Sequence, residues 1–74
     1  MDVLLFGMVA EKAGANSIAV EAGSLVALRR ELAERIPGIE RLSYAISVDR
    51  QVVHEDRAFN GTEEIAVLPP FAGG

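Results

Sequence analysis

Residues 24–38 read Ser-Leu-Val-Ala-Leu-Arg-Arg-Glu-Leu-Ala-Glu-Arg-Ile-Pro-Gly, and this stretch carries the one strong helix signal of the chain. Leu25, Leu28, Leu32 and Ile36 recur at spacings of three, four and four residues, which lines them up on one helix face. Ser24 is a good N-cap residue, because its short hydroxyl can accept a hydrogen bond from an N–H of the first turn. Glu31 and Arg35 stand one turn apart in the favourable order, and Pro37 with Gly38 ends the helix.

On either side of this helix the periodicity changes from that of a helix to that of strands. Upstream, Ser17–Glu21 sets Ile18 and Val20 against Ser17, Ala19 and Glu21, the period-two pattern of a half-buried strand. Val3–Phe6 is apolar on both faces, as expected for an interior strand. Between them Met8–Ala13 has helical propensity, and Gly14 and Asn16 close it as a short helical connector. Downstream, Gly38–Ser43 is a connection and Tyr44–Val48 a strand. Asp49 and Arg50 mark a turn into a short strand, Gln51–His54. Glu55–Thr62 is polar and reads as a loop with Phe59 as a buried aromatic plug. Ile65–Leu68 forms the last strand, and Pro69 stops its pairing.

A first hairpin, a crossover helix and a last strand lying parallel to the first make an α+β fold with two layers. This is the β-grasp, or ubiquitin-like, architecture: a mixed sheet with one main helix packed on one face. If Asp2 points outward, Val3 and Leu5 face the core, and Leu4 and Phe6 face the side that the helix leaves bare. Val52 and Leu68 join them there. A contiguous exposed apolar face marks a partner surface, whereas a slip of one residue in register would send the same side chains into the core.

Seventy-four residues allow one small domain of marginal size. Half of the residues are hydrophobic, ample for one core. Cysteine is absent, so disulfides and thiolate metal sites are excluded and any sulfur chemistry must use another group. Neither a basic leader nor a run of ~20 apolar residues is present, so a cytoplasmic protein that does not enter the membrane is expected. The formal charge of −4 argues against nucleic acid or an anionic membrane as partner and favours a basic protein surface. Lys12 is the only lysine among seven basic residues, which disfavours a modifier that forms chains through its own lysines.

A conventional active site is hard to assemble from this chain. His54 is the only histidine and reads as a surface residue. Ser24 has no base and is explained by capping. Glu55, Asp56, Glu63 and Glu64 lack the spacing of a calcium loop and read as a solvated acidic rim. No glycine-rich phosphate loop is present. What remains is the end of the chain, Leu68-Pro69-Pro70-Phe71-Ala72-Gly73-Gly74. Tandem prolines favour an extended segment without hydrogen bonds, and glycines at 73 and 74 make a tip slender enough for a narrow channel. Residues 1–70 are thus expected to form the domain and residues 71–74 a flexible tail. Its carboxylate is ionised at neutral pH and inert towards nucleophiles until activated. Adenylation would supply a leaving group, and a persulfide sulfur could then turn Gly74 into a thiocarboxylate.

Three segments carry a resemblance along the whole chain: VLLFG followed by AEKAG at 10–14, the helix LVALRRELAER, and the closing EIAVLPPFAGG. With them the sequence resembles the MoaD family, the small sulfur-carrier subunit of molybdopterin synthase. The resemblance implies that Gly74 is adenylated by an ATP-dependent activating enzyme and converted to a thiocarboxylate, with no bound cofactor. It implies that the tail, with Phe71, Ala72 and Gly73 in the channel, enters the large synthase subunit within a heterotetramer and donates sulfur to cyclic pyranopterin monophosphate. Phe6, Val52 and Leu68 would dock both partners in turn, and Glu63 and Glu64 would meet a basic partner surface. Where many relatives have an Asp-Gly-Asp-like turn, this chain has Asn60-Gly61-Thr62-Glu63. Related carriers serve thiamine, cysteine or tRNA thiolation with the same terminal chemistry, and a ubiquitin-like modifier that makes isopeptide bonds through Gly74 is the other alternative.

Overall fold

A computed structural model describes residues 1–69. The chain runs β1 (Asp2–Leu5), α1 (Gly7–Ala13), β2 (Ser17–Ala19), α2 (Leu25–Arg35), a 3₁₀ turn (Ile39–Arg41), β3 (Ala45–Val48), β4 (Gln51–Val53) and β5 (Ile65–Leu68). The five strands form one sheet in the order β2-β1-β5-β3-β4. β1 and β5 pair in parallel and the other neighbours are antiparallel, which makes the sheet mixed, as the β-grasp order requires.

The helix pattern translates directly into burial. Leu25, Leu28, Leu32 and Ile36 are all buried, with Ile36 as the C-cap residue. The Ala27 N–H donates to Ser24 Oγ at 3.2 Å, satisfying one of the free donors of the first turn. Arg35 meets Glu31 at 3.2 Å and also donates to the Ala19 carbonyl at 2.9 Å, so the pair ties the end of α2 to strand β2. The helix face packs onto Val3, Leu5, Ile46, Val48, Ile65 and Val67, the inward residues of three adjoining strands.

The short connector is α1, which ends at Gly14 with φ +71° and a backbone N–H shared between the Ala10 and Glu11 carbonyls. Val9 is its buried residue. His54 falls just outside β4, whose last residue is Val53. The 55–64 connection is less loose than its composition suggests. The Arg57 carbonyl accepts from the Leu25 N–H, the Phe59 N–H donates to the Gly23 carbonyl, and Asp56 Oδ1 caps the Val26 N–H at 2.9 Å. Phe59 packs against the core only half-buried, so the expected plug is a flank and not an interior residue.

Candidate functional site: an open apolar face beside the tail exit

The register places one row of side chains across the bare face of the sheet. Leu4 stands opposite Ser17 on β2 and Ala66 on β5, Ala66 opposite Ser47 on β3, and Ser47 opposite Val52 on β4. Side chains alternate along a strand, so Phe6 and Leu68 share the face with this row. Leu4, Phe6 and Val52 are 39%, 45% and 42% exposed, whereas their chain neighbours Val3 and Leu5 are 0% and 2% exposed. The alternation expected from Asp2 therefore holds, and the slipped register does not. Leu68 is half-buried on the same face.

The middle of the face is built from small residues. Ala45, Ser47 and Ala66 form a floor, with Leu4 and Phe6 rising on one side and Val52 on the other. With strands about 4.8 Å apart, Leu4 and Val52 are separated by roughly 14 Å. The structure thus brings Phe6 and Leu68 together and sets Val52 at the opposite margin of one shallow apolar saddle.

The parallel pairing fixes where the tail leaves this saddle. Leu5 pairs with Val67, and the Phe6 N–H donates to the Val67 carbonyl at 3.2 Å. One step further, Gly7 lies against Pro69. With φ at +58°, Gly7 is in the left-handed region, and a Cβ there would lie 3.0 Å from Pro69 Cγ. Pro69, the last described residue, therefore lies beside Phe6 and Leu68 where β1 passes into α1. Gly74, the expected reactive residue, and Phe71, Ala72 and Gly73 lie outside the described residues.

The carboxylates at the opposite end of β5, before Ile65, have partners within the chain. Glu64 pairs with Arg50 at 3.2 Å, and Asp49 bonds both the N–H and the carbonyl of residue 64. The Asn60 N–H donates to Glu63 at 2.9 Å and holds its carboxyl below the usual range, with a second contribution from the Gly61 N–H at 3.0 Å. Thr62 closes the same turn through its N–H and hydroxyl to Asn60 Oδ1. The Asn-Gly-Thr-Glu sequence thus forms a self-sufficient turn in place of the Asp-Gly-Asp type.

His54, Glu55 and Asp56 are exposed along an open groove with Arg57. Among the described residues, no three His, Cys, Asp or Glu side chains are grouped to hold a metal ion, and no helix is long and apolar enough to cross a membrane. Two residues of the site were not legible as such. Met8, 60% exposed, extends the apolar surface past Phe6, and Gly7 sets the exit path. A glycine directly after an apolar strand was the available signal for Gly7; Met8 gave none, being read as part of a helical connector.

Fold and face together define a β-grasp domain that offers an apolar sheet surface next to the end of its last strand, β5. The ThiS family matches residues 3–74, and the chain belongs to that family, the ThiS- and MoaD-like ubiquitin-like sulfur carriers. The resemblance read from the three sequence segments falls within it. Among solved structures, SAMP1 from Haloferax volcanii superimposes with a TM-score of 0.81 at 21% identity, covering 99% of this chain and 97% of that one. A second crystal structure, of the H. volcanii small archaeal modifier protein 1, gives 0.81 at 18% identity over 95% of both chains. At these identities the likeness establishes the fold. No curated protein matches the sequence.

Proposed function

We propose that this chain is the sulfur carrier for molybdopterin synthesis, with Gly74 as the cargo site. An activating enzyme joins the Gly74 carboxylate to the α-phosphorus of ATP and pyrophosphate leaves. A persulfide donor displaces AMP to give an acyl persulfide, and a second thiol cleaves its S–S bond, leaving the thiocarboxylate and a disulfide. The charged tail then enters the large synthase subunit, which supplies the catalytic groups.

The observation that carries this reading is the placement of the tail exit at the edge of the apolar saddle. A partner seated on Phe6, Leu68, Leu4 and Val52 is positioned to receive residues 70–74 in a channel. Pro69 ends the pairing of β5 beside that surface. The Pro-Pro lead-in and the AEKAG segment favour the molybdenum branch over carriers for thiamine, cysteine or tRNA.

A second reading has its own support: the similar solved structures are described as modifier proteins, and a modifier would join Gly74 to a lysine of a target. Intact mass of the protein from cells separates the two. A C-terminal gain equal to sulfur replacing oxygen supports the carrier; adducts bearing a target lysine support the modifier. Reconstitution with the large synthase subunit and cyclic pyranopterin monophosphate tests the branch, and failure to form the dithiolene product there would remove it.

A further inference from the structure

The turn that leads into β5 holds a chemically labile pair, Asn60-Gly61, whose reacting groups are both engaged by their neighbours. After asparagine, a glycine nitrogen attacks the side-chain amide with little steric hindrance, because glycine has no Cβ. Asn60, Gly61 and Thr62 are exposed, and no described residue beyond the chain neighbours comes within 4 Å of a Cβ position on Gly61.

Water is the only co-reactant needed. The Gly61 N–H proton is lost to solvent base and the nitrogen bonds to Asn60 Cγ. The Cγ–Nδ2 bond then breaks, ammonia leaves with a proton taken from water, and a succinimide ring remains. Water opens that ring at either carbonyl, giving aspartate or, with the main chain rerouted through Cβ, isoaspartate.

The fold acts on the two reacting groups in opposite senses. Asn60 Oδ1 accepts from the Thr62 N–H at 2.9 Å and from the Thr62 hydroxyl at 2.6 Å, and both donors polarise the amide towards attack. The nitrogen is restrained. The Gly61 N–H donates to Glu63 Oε1 at 3.0 Å, and the Asn60 N–H donates to Oε2 of the same carboxylate at 2.9 Å. Glu63 is charged at neutral pH, its carboxyl being held below the usual 4.5. Loss of the Gly61 proton would therefore set a second negative charge against this carboxylate, which disfavours the attacking anion.

We propose that Asn60 is a deamidation site restrained by the folded turn, with the Glu63 carboxylate as the restraint. Modification then follows opening of the turn and not mere exposure of the side chain. It adds a negative charge beside Glu63 and Glu64, just before β5. The inference concerns this turn alone and stands whichever cargo Gly74 carries.

The test follows the full chain at neutral pH by intact mass and peptide mapping. These score conversion of amide to acid separately at Asn60 and at Asn16, the other asparagine of the chain. In the folded protein Asn60 should convert about tenfold more slowly than in denaturing urea, the order expected of a hydrogen bond to a charged group. Glu63→Gln, which keeps an acceptor and removes the charge, should speed conversion at Asn60 and leave Asn16 unchanged. Glu63→Ala should speed it further. Equal rates at Asn60 in the folded and unfolded chain overturn the proposal, as does a Glu63→Gln rate equal to that of the wild type. A rise at Asn60 and Asn16 in step also overturns it, because general unfolding and not release of a local restraint would then be the cause.

Discussion

Gly7 and Pro69 touch across the parallel seam of the sheet, with the position of a Cβ on residue 7 falling 3.0 Å from Pro69 Cγ and its backbone at φ +58°. Two constraints therefore meet at one glycine: a left-handed backbone and a neighbour that carries the tail out of the fold. The first expectation concerns this contact.

Gly7→Ala should destabilise the protein by more than Gly14→Ala. Both positions have positive φ, but around Gly14 nothing lies within 4 Å of an added Cβ. Gly14→Ala thus measures the backbone term alone, about 1–2 kcal/mol. The excess for Gly7→Ala, read from urea midpoints, reports the displacement of Pro69. Equal losses would mean that the contact relaxes without cost.

Val52→Asp and Phe6→Asp should leave the urea midpoint nearly unchanged while weakening binding to the large synthase subunit at least tenfold by titration calorimetry. Leu28→Ala, in the fully buried face of α2, should instead cost about 2–5 kcal/mol. Unfolding of both aspartate variants would show that the open face supports the fold and is not a free docking surface.

Removal of Gly74 should abolish sulfur transfer and leave thermal unfolding as it was. The check is paired calorimetry and a single-turnover assay with the large subunit. A drop in melting temperature matching the loss of transfer would mean that the tail is structural.

The carboxyl of Glu63 should titrate below the ordinary value of 4.5, because the N–H groups of Asn60 and Gly61 stabilise its charged form. A depressed folded-state value means that its contribution is complete above the unfolded-state value and is lost as pH falls through the folded-state one. Amide shifts of Asn60 and Gly61 should follow that titration below pH 4.5. Glu63→Gln should remove this pH dependence.

Arg50→Gly should raise stability by less than about 1 kcal/mol, measured by urea denaturation. Asp49 and Arg50 both have positive φ, at 51° and 70°, as a two-residue hairpin turn of the primed type demands. Asp-Gly suits that turn better than Asp-Arg. The ion pair lost with Arg50 is exposed on both sides and offsets only part of the gain.

The sequence disclosed most about the elements whose signals are local and repeated. Leu25, Leu28, Leu32 and Ile36 identify their helix because four side chains on one face agree, and Ser24 marks its start. The alternation at Val3–Phe6 assigned the two faces of β1 correctly, so the open apolar surface was readable before any coordinate. The seam was harder. Gly7 meets Pro69 only after the first and last strands pair, and neither residue announces the other. The 55–64 connection was hidden for a related reason: Gly23 and Arg57 tether it through backbone carbonyls, which every residue type possesses. At Asp49 and Arg50 the turn was legible, but the left-handed geometry was not, because Arg50 is a poor sequence marker for it.

Strand β5 sits in the middle of the sheet, bonded to β1 on one side and β3 on the other. A pull on the tail acts along that strand and across its hydrogen bonds. The two ladders are then loaded in shear, many bonds at once, instead of being unzipped one at a time from an edge. A force applied at the end of β5 is thus borne by both ladders together.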